Sequence, residues 1–484
     1  MKIKILTFTA LLLLNSPVFS LPIDWGGELT FDTINLSNGR FISKNNFTSA
    51  GTGSQEVSNA GHGDNEAAFQ SYIFNLSPTI IVNDSVVLRG EISNGFARGG
   101  RLGDSSTTNS GASTNPGRYY LNLPTGQGSL TLNQLYSKIY GTTATYTIGR
   151  HPVHWGLGAV INNGEGRLDR FATNREGVSA KIKLGRFEIE PFISRSFSST
   201  SLGAEGNQRE IGSSVMYHSI ESELKLGLYY SSITTGSNES QRAGDLNSTG
   251  NATAFGAGKV KLTDFFLEKS YQKFNLKFEV PIFSGTIGDV FQNGQDTDFD
   301  TKAILFEGTY QHNDQWKLVT KVGLIDGEDG NNGSFEALYL HPNYQVANIL
   351  FRYNRQAIWN LGSNVFDSSI NNANYLSVQL IHYDELSTWK LGVVYAKASN
   401  VASAQDQTAY NHTTGVVFNP SFNQSDDLGI EVDLDYKYEL NDEVTIDLNL
   451  GYLAAGDYFA YTNSSELNSA DSAFLFRVGS TVQF

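Results

Sequence analysis

The carboxyl-terminal stretch AFLFRVGSTVQF, residues 473–484, alternates apolar and polar side chains. Successive side chains of an extended strand point to opposite faces, so a period of two separates an apolar face from a polar one. The residues that share the apolar face are Phe474, Phe476, Val478, Val482 and Phe484. The stretch therefore predicts an amphipathic β-strand that ends on an aromatic residue.

The same alternation recurs through the rest of the chain. Residues 428–438 place Ile430 and Val432 on one face, and Glu431 and Asp433 on the other. Similar runs occupy 86–93, 316–324 and 444–452. Beyond the amino-terminal run, no stretch reaches the roughly 18 apolar residues that a membrane-spanning helix needs. We therefore expect an all-β protein.

Short and long connections alternate between the predicted strands. The short ones contain Asn, Asp or Gly, which tolerate tight hairpin turns: Asn83-Asp84, Gly185-Arg186, Asn313-Asp314, Asp384-Glu385 and Asn441-Asp442. The long ones are rich in Ser, Gly, Asn and Thr and cover about 37–66, 98–128, 151–175, 233–257, 283–299, 356–372 and 399–426, with two shorter ones near 199–206 and 325–333. Counting the runs between them gives about 20 strands, within roughly 18 to 22. This rhythm predicts a transmembrane antiparallel up-and-down β-barrel with short periplasmic turns and long extracellular loops.

The amino terminus has the features of a secretory signal peptide. Lys2 and Lys4 precede the apolar run 5–14, and Ser20 supplies a small residue at a cleavage point. The apolar run is too short to cross a bilayer as a helix. We expect residues 1–20 to be a signal peptide and residues 21–484 to form the barrel, with no plug domain before its first strand.

Composition excludes several classes of protein. The chain contains no cysteine, which removes disulfide scaffolds and thiolate metal sites. Its net charge of −15 argues against nucleic-acid binding, which needs a basic face. The hydrophobic content of 39% fits a barrel, because only the lipid-facing half of each strand must be apolar. We expect water to fill so wide a barrel.

The terminal strand ending in Phe484, the signal peptide and the alternation of short and long loops occur together in this chain. In this combination the chain resembles Gram-negative outer-membrane β-barrels of the porin-like kind. The resemblance implies an outer-membrane location, contact with outer-membrane lipid, and recognition of the terminal strand by the barrel assembly machinery, with Phe484 as the assembly signal. It also implies passive diffusion of small hydrophilic solutes without a cofactor, and a possible homo-oligomer. The alternative function is a surface structural or adhesive barrel that acts through its extracellular loops.

The densest group of unusual residues, 149–176, follows the fifth counted strand and forms the third long loop. In general porins this loop folds inward, so the resemblance implies a pore constriction. The residues expected to set its charge are Arg150, His151, His154, Arg167, Asp169, Arg170, Arg175 and Glu176. The alternatives are an outward loop whose charges pair with one another, and a membrane-interface role for Trp155.

The polar faces of the strands predict the lining of the lumen. The expected inward residues are Arg89, Glu91, Lys181, Lys183, Glu188, Glu190, Lys225, Lys317, Lys321, Arg352, Lys390, Glu431, Asp433, Asp435 and Asp447. Their mixed signs, with acidic residues near 431–447, suggest a weak preference for cations.

The sequence contains only weak indications of a metal site or of an enzyme active site. The pair His151 and His154 lacks a third ligand at motif spacing, and the acidic loop 326–333 departs from the EF-hand pattern. We expect no metal. No Gly-x-Ser-x-Gly or phosphate-binding motif occurs, and we do not expect an enzyme.

Overall fold

A computed structural model describes residues 22–42, 66–95, 97–102, 130–197, 207–234, 258–287, 297–331, 333–355, 364–413, 415–461, 463 and 469–484. The predicted signal peptide lies outside these residues. Within them, no helix is long and apolar enough to span a membrane.

The described residues form 22 strands. Their bounds are β1 (Ile23–Ser37), β2 (Ala67–Asn83), β3 (Val86–Asn94), β4 (Gly99–Arg101), β5 (Leu130–Tyr140), β6 (Ala144–Pro152), β7 (Asn174–Leu184), β8 (Phe187–Phe197), β9 (Asn207–Ser219), β10 (Leu224–Thr234), β11 (Lys259–Tyr271), β12 (Phe274–Thr286), β13 (Asp298–Gln311), β14 (Trp316–Ile325), β15 (Ser334–Phe335), β16 (Ala373–Tyr383), β17 (Ser387–Ala398), β18 (Ala409–Asn411), β19 (Val416–Phe418), β20 (Asp427–Glu439), β21 (Val444–Ala455) and β22 (Ala473–Gln483).

Eighteen of these strands form a closed antiparallel wall, as the sequence predicts. Each wall strand pairs with the next one along the chain, and β22 pairs with β1 to close the barrel. The remaining strands are short additions: β4 pairs with β2, β15 runs parallel to β13, and β18 pairs with β19 in a separate hairpin. Closure matters because lipid offers no partner for the hydrogen bonds of a free strand edge.

The strand count lies at the low end of the predicted range because one segment was misread. Residues 326–372 connect β14 to β16 as a single connection and contain only the two-residue strand β15 among their described residues. The predicted connections near 325–333 and 356–372 left the run between them to be counted as strand. This run is rich in apolar residues. Those residues pack inside the barrel instead.

All predicted short turns lie at one end of the wall, where connections contain two to four residues. The long connections lie at the other end, which is therefore the extracellular end. We call residues 153–173 loop 3 and residues 326–372 loop 7, counting the long connections from the amino terminus.

The two faces of the wall differ as the alternation predicts. On β22, Phe474, Phe476 and Val478 are exposed on the outside, whereas Leu475 and Arg477 are buried on the inside. Exposed Leu, Ile, Val and aromatic side chains recur on the outside of the other wall strands. A surface of this kind requires lipid as its solvent.

Phe484 closes the seam between the first and last strands. The backbone N–H of Gly27 donates to the carbonyl oxygen of Phe484 at 2.8 Å. A Cβ atom on Gly27 would meet the Phe484 ring at 2.6 Å, so this close approach requires glycine. The role of Phe484 as an assembly signal stays a prediction.

The barrel interior is partly filled with protein, in contrast to the expectation of water alone. A single apolar cluster joins inward wall residues such as Leu305 and Leu453 to loop residues such as Ala159, Leu340 and Ile349. Loop 3 and much of the described part of loop 7 therefore lie inside the barrel.

Candidate channel lumen

Trp155 fixes the start of loop 3 against the inner wall. Its side chain is 6% exposed and packs between Tyr229 and Phe266, with ring centroids 5.6 and 6.4 Å away. A Cβ on Gly227 would meet the indole at 2.7 Å, so glycine on β10 makes room for the ring. Trp155 thus lies in the lumen and not at the membrane interface, the alternative that the sequence had left open.

The turn after Trp155 is bound by a buried carboxylate. Gly156 has a φ of +58°, a conformation that favours glycine. The next backbone N–H, that of Leu157, donates to Glu279 on β12. Glu279 is fully buried beside Asp264 of β11, so β12 holds loop 3 at the wall.

The far end of loop 3 reaches the opposite wall. The guanidinium of Arg167 donates to both carboxylate oxygens of Asp447 on β21, at 2.5 Å from Nη2 to Oδ1. Asp447 lies only three positions after the start of β21, near the periplasmic turns. Loop 3 therefore crosses the lumen and descends through it.

Arg170 joins loop 3 to the barrel seam. It donates to the carbonyl oxygen of Tyr72 at 2.8 Å and to Ser71 Oγ at 3.1 Å, and its Nη2 lies 3.9 Å from Asp32 Oδ2. Asp32 also accepts from Arg477 Nη2 at 2.6 Å. Two arginines from different parts of the chain thus share one buried carboxylate.

Arg175 and His151 face the lumen at the top of the wall. Arg175 donates to the hydroxyl of Tyr229 at 2.9 Å and stacks on Phe192. His151 is 3% exposed, with Nδ1 3.0 Å from the carbonyl oxygen of Gly149. Neither side chain contacts an open cavity described below.

The prediction that Arg150 and Glu176 set the charge of the lumen is wrong. Arg150 directly precedes the inward residue His151, and Glu176 directly follows the inward residue Arg175. Because successive side chains alternate between the two faces, both Arg150 and Glu176 point to the lipid side. Arg150 Nη2 lies 2.5 Å from Glu176 Oε1, and exposed Ile148 and Val178 share their face. Residues 149–176 were predicted to be a loop, and in a loop the strand alternation does not assign faces.

Asp169 and His154 complete the predicted group. Asp169 accepts from the N–H of Gly166 at 2.9 Å and lines a cavity. Burial raises the pKa of Asp169 to about 6, although the Gly166 N–H and the charges of Arg98 and Arg352 oppose the shift. His154 is exposed beside Gly158 in the same loop.

Loop 7 is held by an acidic ladder on β20. The buried carboxylate of Glu431 accepts from the backbone N–H groups of Asn348, Ile349 and Leu350 at 2.6 to 2.8 Å. Asp433 accepts from the Asn348 N–H at 3.2 Å. Both carboxylates thus bind a loop inside the barrel, and Asp433 also lines a cavity there.

Deeper in the lumen, Asp435 joins the same loop to the wall. It accepts from the side-chain amide of Asn348 at 2.6 Å, and Lys390 Nζ lies 2.5 Å from its other oxygen. Its charge is therefore balanced by a lysine, which reduces the negative field that the sequence suggested.

A tyrosine pair anchors the start of the same loop segment. The hydroxyl of Tyr344 lies 3.2 Å from that of Tyr375 and donates to Glu307 at 3.2 Å. Lys321 Nζ lies 2.8 Å from Glu307 and 5.1 Å from the centre of the Tyr344 ring. Loop 7 is thus bound on β13, β14, β16 and β20.

The other predicted lumen residues lie on the inward side of the wall, mostly in ion pairs. Pairs join Glu91 to Arg98 at 2.6 Å, Lys181 to Glu188 at 2.9 Å and Lys225 to Glu268 at 2.7 Å. Arg89, Lys183, Glu190 and Lys317 share inward faces with these residues, by the same alternation. Arg352 differs, because it belongs to loop 7 and not to a strand.

Two large cavities lie inside the described part of the barrel. The inner cavity, about 430 Å³, lies towards the periplasmic turns and is lined by charged and amide side chains that include Arg167, Asp169, Arg352, Gln379 and Lys390. The outer cavity, about 290 Å³, lies towards the long loops and is lined by aromatic, Asn and Ser side chains. Tyr353 borders both cavities. We call residues 348–353 the partition, because they lie between the two cavities.

No sequence pattern indicated the residues that form and hold the partition, or the carboxylate that joins loop 3 to the barrel seam. Tyr344, Asn348, Tyr353 and Asp32 carried no motif, since their roles depend on contacts distant in sequence. One signal was present: Pro342 interrupts the segment that was read as strand. In the residues that the structure describes, no group of three or more His, Cys, Asp or Glu side chains could hold a metal ion.

No protein-family model matches the chain, and no curated protein matches it. Solved structures with a similar fold include OpdK, an outer membrane protein of Pseudomonas aeruginosa solved with vanillate, with a TM-score of 0.48, 10% identity, and coverage of 95% of this chain and 98% of that chain. OccK9 (OpdG) of the same organism has a TM-score of 0.48 and 10% identity over 95% and 99% of the two chains. A loop-deletion mutant of OmpT, an outer membrane protein of Vibrio cholerae, has a TM-score of 0.37 and 11% identity over 96% and 99%.

The closed wall and its apolar outer surface show the fold class of this chain without reference to other proteins. The alternating strands, the short turns at one end and the seam at Phe484 all agree with them. The protein is a closed antiparallel β-barrel with a lipid-facing outer surface and a wall of 18 strands, the architecture of outer-membrane barrels.

Proposed function

We propose that the protein is a channel for passive diffusion of small hydrophilic solutes, and that loops 3 and 7 narrow its route. The observation that carries this proposal is the pair of polar-lined cavities on either side of the partition. Internal space lined by charged and amide side chains is suited to the passage of hydrated, hydrophilic solutes. A narrow route between the cavities would select solutes by size and polarity.

The proposed constriction differs from the one expected from the sequence. Arg167, Asp169 and Arg170 contribute from loop 3, and Arg352 and Tyr353 contribute from loop 7. His151 and Arg175 support the wall beside them, whereas Arg150 and Glu176 take no part. The adhesive alternative depends on outer segments such as 43–65, 103–129 and 235–257, which lie outside the described residues.

Planar-bilayer recording of the purified full-length protein tests the proposal. Because protein fills much of the lumen, we expect discrete openings with a conductance well below that of an open water-filled barrel of this width. Folded protein, identified by its heat-modifiable migration, that produces no openings would contradict the proposal. Heat-unfolded protein is the control.

The raised pKa of Asp169 predicts that the ion selectivity of the channel depends on pH. Its pKa of about 6 means that the carboxyl loses its negative charge as the pH falls from 7 to 5. The inner cavity then becomes more positive, so the permeability ratio of K⁺ to Cl⁻ should decrease with a midpoint near pH 6. Asp169→Asn should hold the low ratio at both pH values.

Two half-buried histidines do not interfere with this measurement. Burial lowers the pKa of His341 to about 4 and that of His412 to about 3, so both stay neutral across the range. An equal pH response in the wild type and in Asp169→Asn would show that another group is responsible.

A further inference from the structure

Two acidic side chains meet on the inner wall behind the start of loop 3. Asp264 of β11 and Glu279 of β12 are both fully buried, and neither lines a cavity described above. In the register of these strands, Glu279 lies opposite Phe266, two positions from Asp264 on the same inward face. The two carboxyl groups are within hydrogen-bonding reach of each other. The barrel therefore contains an acid pair that is shielded from water.

Among the described residues, no basic side chain forms an ion pair with this acid pair. Both oxygens of Asp264 and Oε1 of Glu279 accept no hydrogen bond from a described N–H or O–H group. The indole N–H of Trp155 faces Asp264 but does not complete a hydrogen bond. The remaining oxygen, Glu279 Oε2, accepts from the backbone N–H of Leu157 in loop 3. Two carboxylates in contact cannot both be ionised in a buried site, so they share one proton.

Several other titratable groups surround the pair. They are Tyr229 on β10, Glu268 on β11, Lys277 on β12, Glu307 on β13, Tyr375 on β16, His154 in loop 3 and Tyr344 in loop 7. The two carboxylates among them have lysine partners of their own, Lys225 at 2.7 Å and Lys321 at 2.8 Å. None of these described groups supplies a cation in contact with the pair, so the shared proton alone relieves its repulsion.

Glu279 is also the residue that holds the start of loop 3. A Cβ atom on Gly156 would collide with its carboxylate, so the turn after Trp155 lies directly on this group. Ala159, further along the same loop, is fully buried, and its carbonyl oxygen accepts from the backbone N–H of His341 in loop 7 at 2.6 Å. A movement of Glu279 would therefore displace the start of loop 3 and its contact with loop 7.

We propose that Asp264 and Glu279 form a proton-dependent latch for loop 3. While the pair holds one proton, the two carboxyl groups stay together and Glu279 accepts from Leu157. At alkaline pH the proton leaves to water, and two adjacent negative charges remain in a buried site. The charges repel, Glu279 turns away from Asp264, and loop 3 leaves the inner wall. The resulting widening of the solute route rests on the proposed function, whereas the movement of loop 3 does not.

Thiol labelling of the full-length protein in detergent tests the proposal. Because the chain has no cysteine, Ala159→Cys places a single buried thiol in loop 3. Its reaction with a small charged methanethiosulfonate reagent is measured at about pH 7 and about pH 9.5, with and without Asp264→Asn. The Asn amide cannot lose a proton in this range and still donates to Glu279. At the higher pH we expect the thiol to react about tenfold faster or more without Asp264→Asn than with it, and at the lower pH the two rates should be equal.

The comparison removes the effect of pH on the thiol itself, because both proteins carry the same cysteine. Glu268→Gln is the matched control, since Glu268 is an inward carboxylate on the same strand but pairs with Lys225. It should keep the full response to pH. Glu279→Gln should lose the response as Asp264→Asn does, because its amide oxygen still accepts from Leu157 and its NH₂ group donates to Asp264.

Equal labelling rates with and without Asp264→Asn at the higher pH would overturn the proposal. An equal loss of the pH response in Glu268→Gln would overturn it too, because the response would then not depend on the acid pair. Labelling reports the position of loop 3 and not a current. Failure of the latch is therefore distinguishable from a barrel that produces no channel openings.

Discussion

Glu431→Ala is expected to raise the open-channel conductance by at least about twofold and to make the open current noisier. The carboxylate is fully buried and accepts three backbone N–H groups of the partition. Its loss leaves these donors without their charged acceptor, at a cost on the order of 3 kcal/mol. The partition should then move away from β20 for part of the time, which widens the route between the two cavities.

Glu188→Ala is the matched control for this prediction. Glu188 is also an inward carboxylate on a wall strand, but its partner is Lys181 of the neighbouring strand and not a loop. Its removal should leave the conductance close to the wild-type value. If the two variants give the same conductance, Glu431 does not hold the partition in the conducting state.

Asp32→Ala should cause the largest loss of stability. Asp32 is 5% exposed and accepts from Arg477 Nε at 3.1 Å and Nη2 at 2.6 Å. Arg170 lies 3.9 Å from the same carboxylate, so the substitution leaves two buried guanidinium groups without their shared anion. Breaking a buried pair in this way costs about 3–5 kcal/mol. The temperature at which the folded form is lost in heat-modifiability gels should fall clearly.

Glu221→Ala tests whether this effect depends on burial. Glu221 accepts from Arg186 at 2.8 Å, but its side chain is 78% exposed. Exposed ion pairs of this kind contribute about 0–1 kcal/mol to stability. The variant should therefore lose its folded form at the same temperature as the wild type. A loss of heat resistance in Asp32→Ala no greater than that in Glu221→Ala would refute the role given to the seam cluster.

The wall could be predicted from the sequence because its rule is local. Each strand must turn one face to lipid, so Ile430 and Val432 differ from Glu431 and Asp433 whatever the rest of the chain does. Tight turns such as Asn441-Asp442 are recognisable for the same reason. The closed barrel, its orientation and the inward charged faces follow from these local patterns.

The lumen could not be predicted in the same way. The apolar residues of loop 7, such as Leu340 and Ile349, have the composition of a strand, yet they pack inside the barrel because the inner wall offers Leu305 and Leu453 as partners. Nothing near Glu431 in sequence indicates that its ligands are N–H groups about 80 positions away.

The error at Arg150 and Glu176 has a different origin. Both residues lie within one position of the inward His151 and Arg175, and only the exact strand ends decide the face on which each side chain lies. Strand ends are the least certain feature of a sequence-based prediction. If the alternation rule is extended by two residues along β6 and β7, it places both Arg150 and Glu176 on the lipid side.

In the proposed channel, solutes pass from the outer cavity, beyond the partition, into the inner cavity. Because the chain has no cysteine, Gln379→Cys places a single thiol in the inner cavity. A small charged methanethiosulfonate reagent should be added to the extracellular side of a planar bilayer that holds one open channel. We predict a stepwise, reductant-reversible change in current from that side as well as from the periplasmic side. Modification from the periplasmic side alone would show that the partition is a closed wall, and would contradict a route through both cavities.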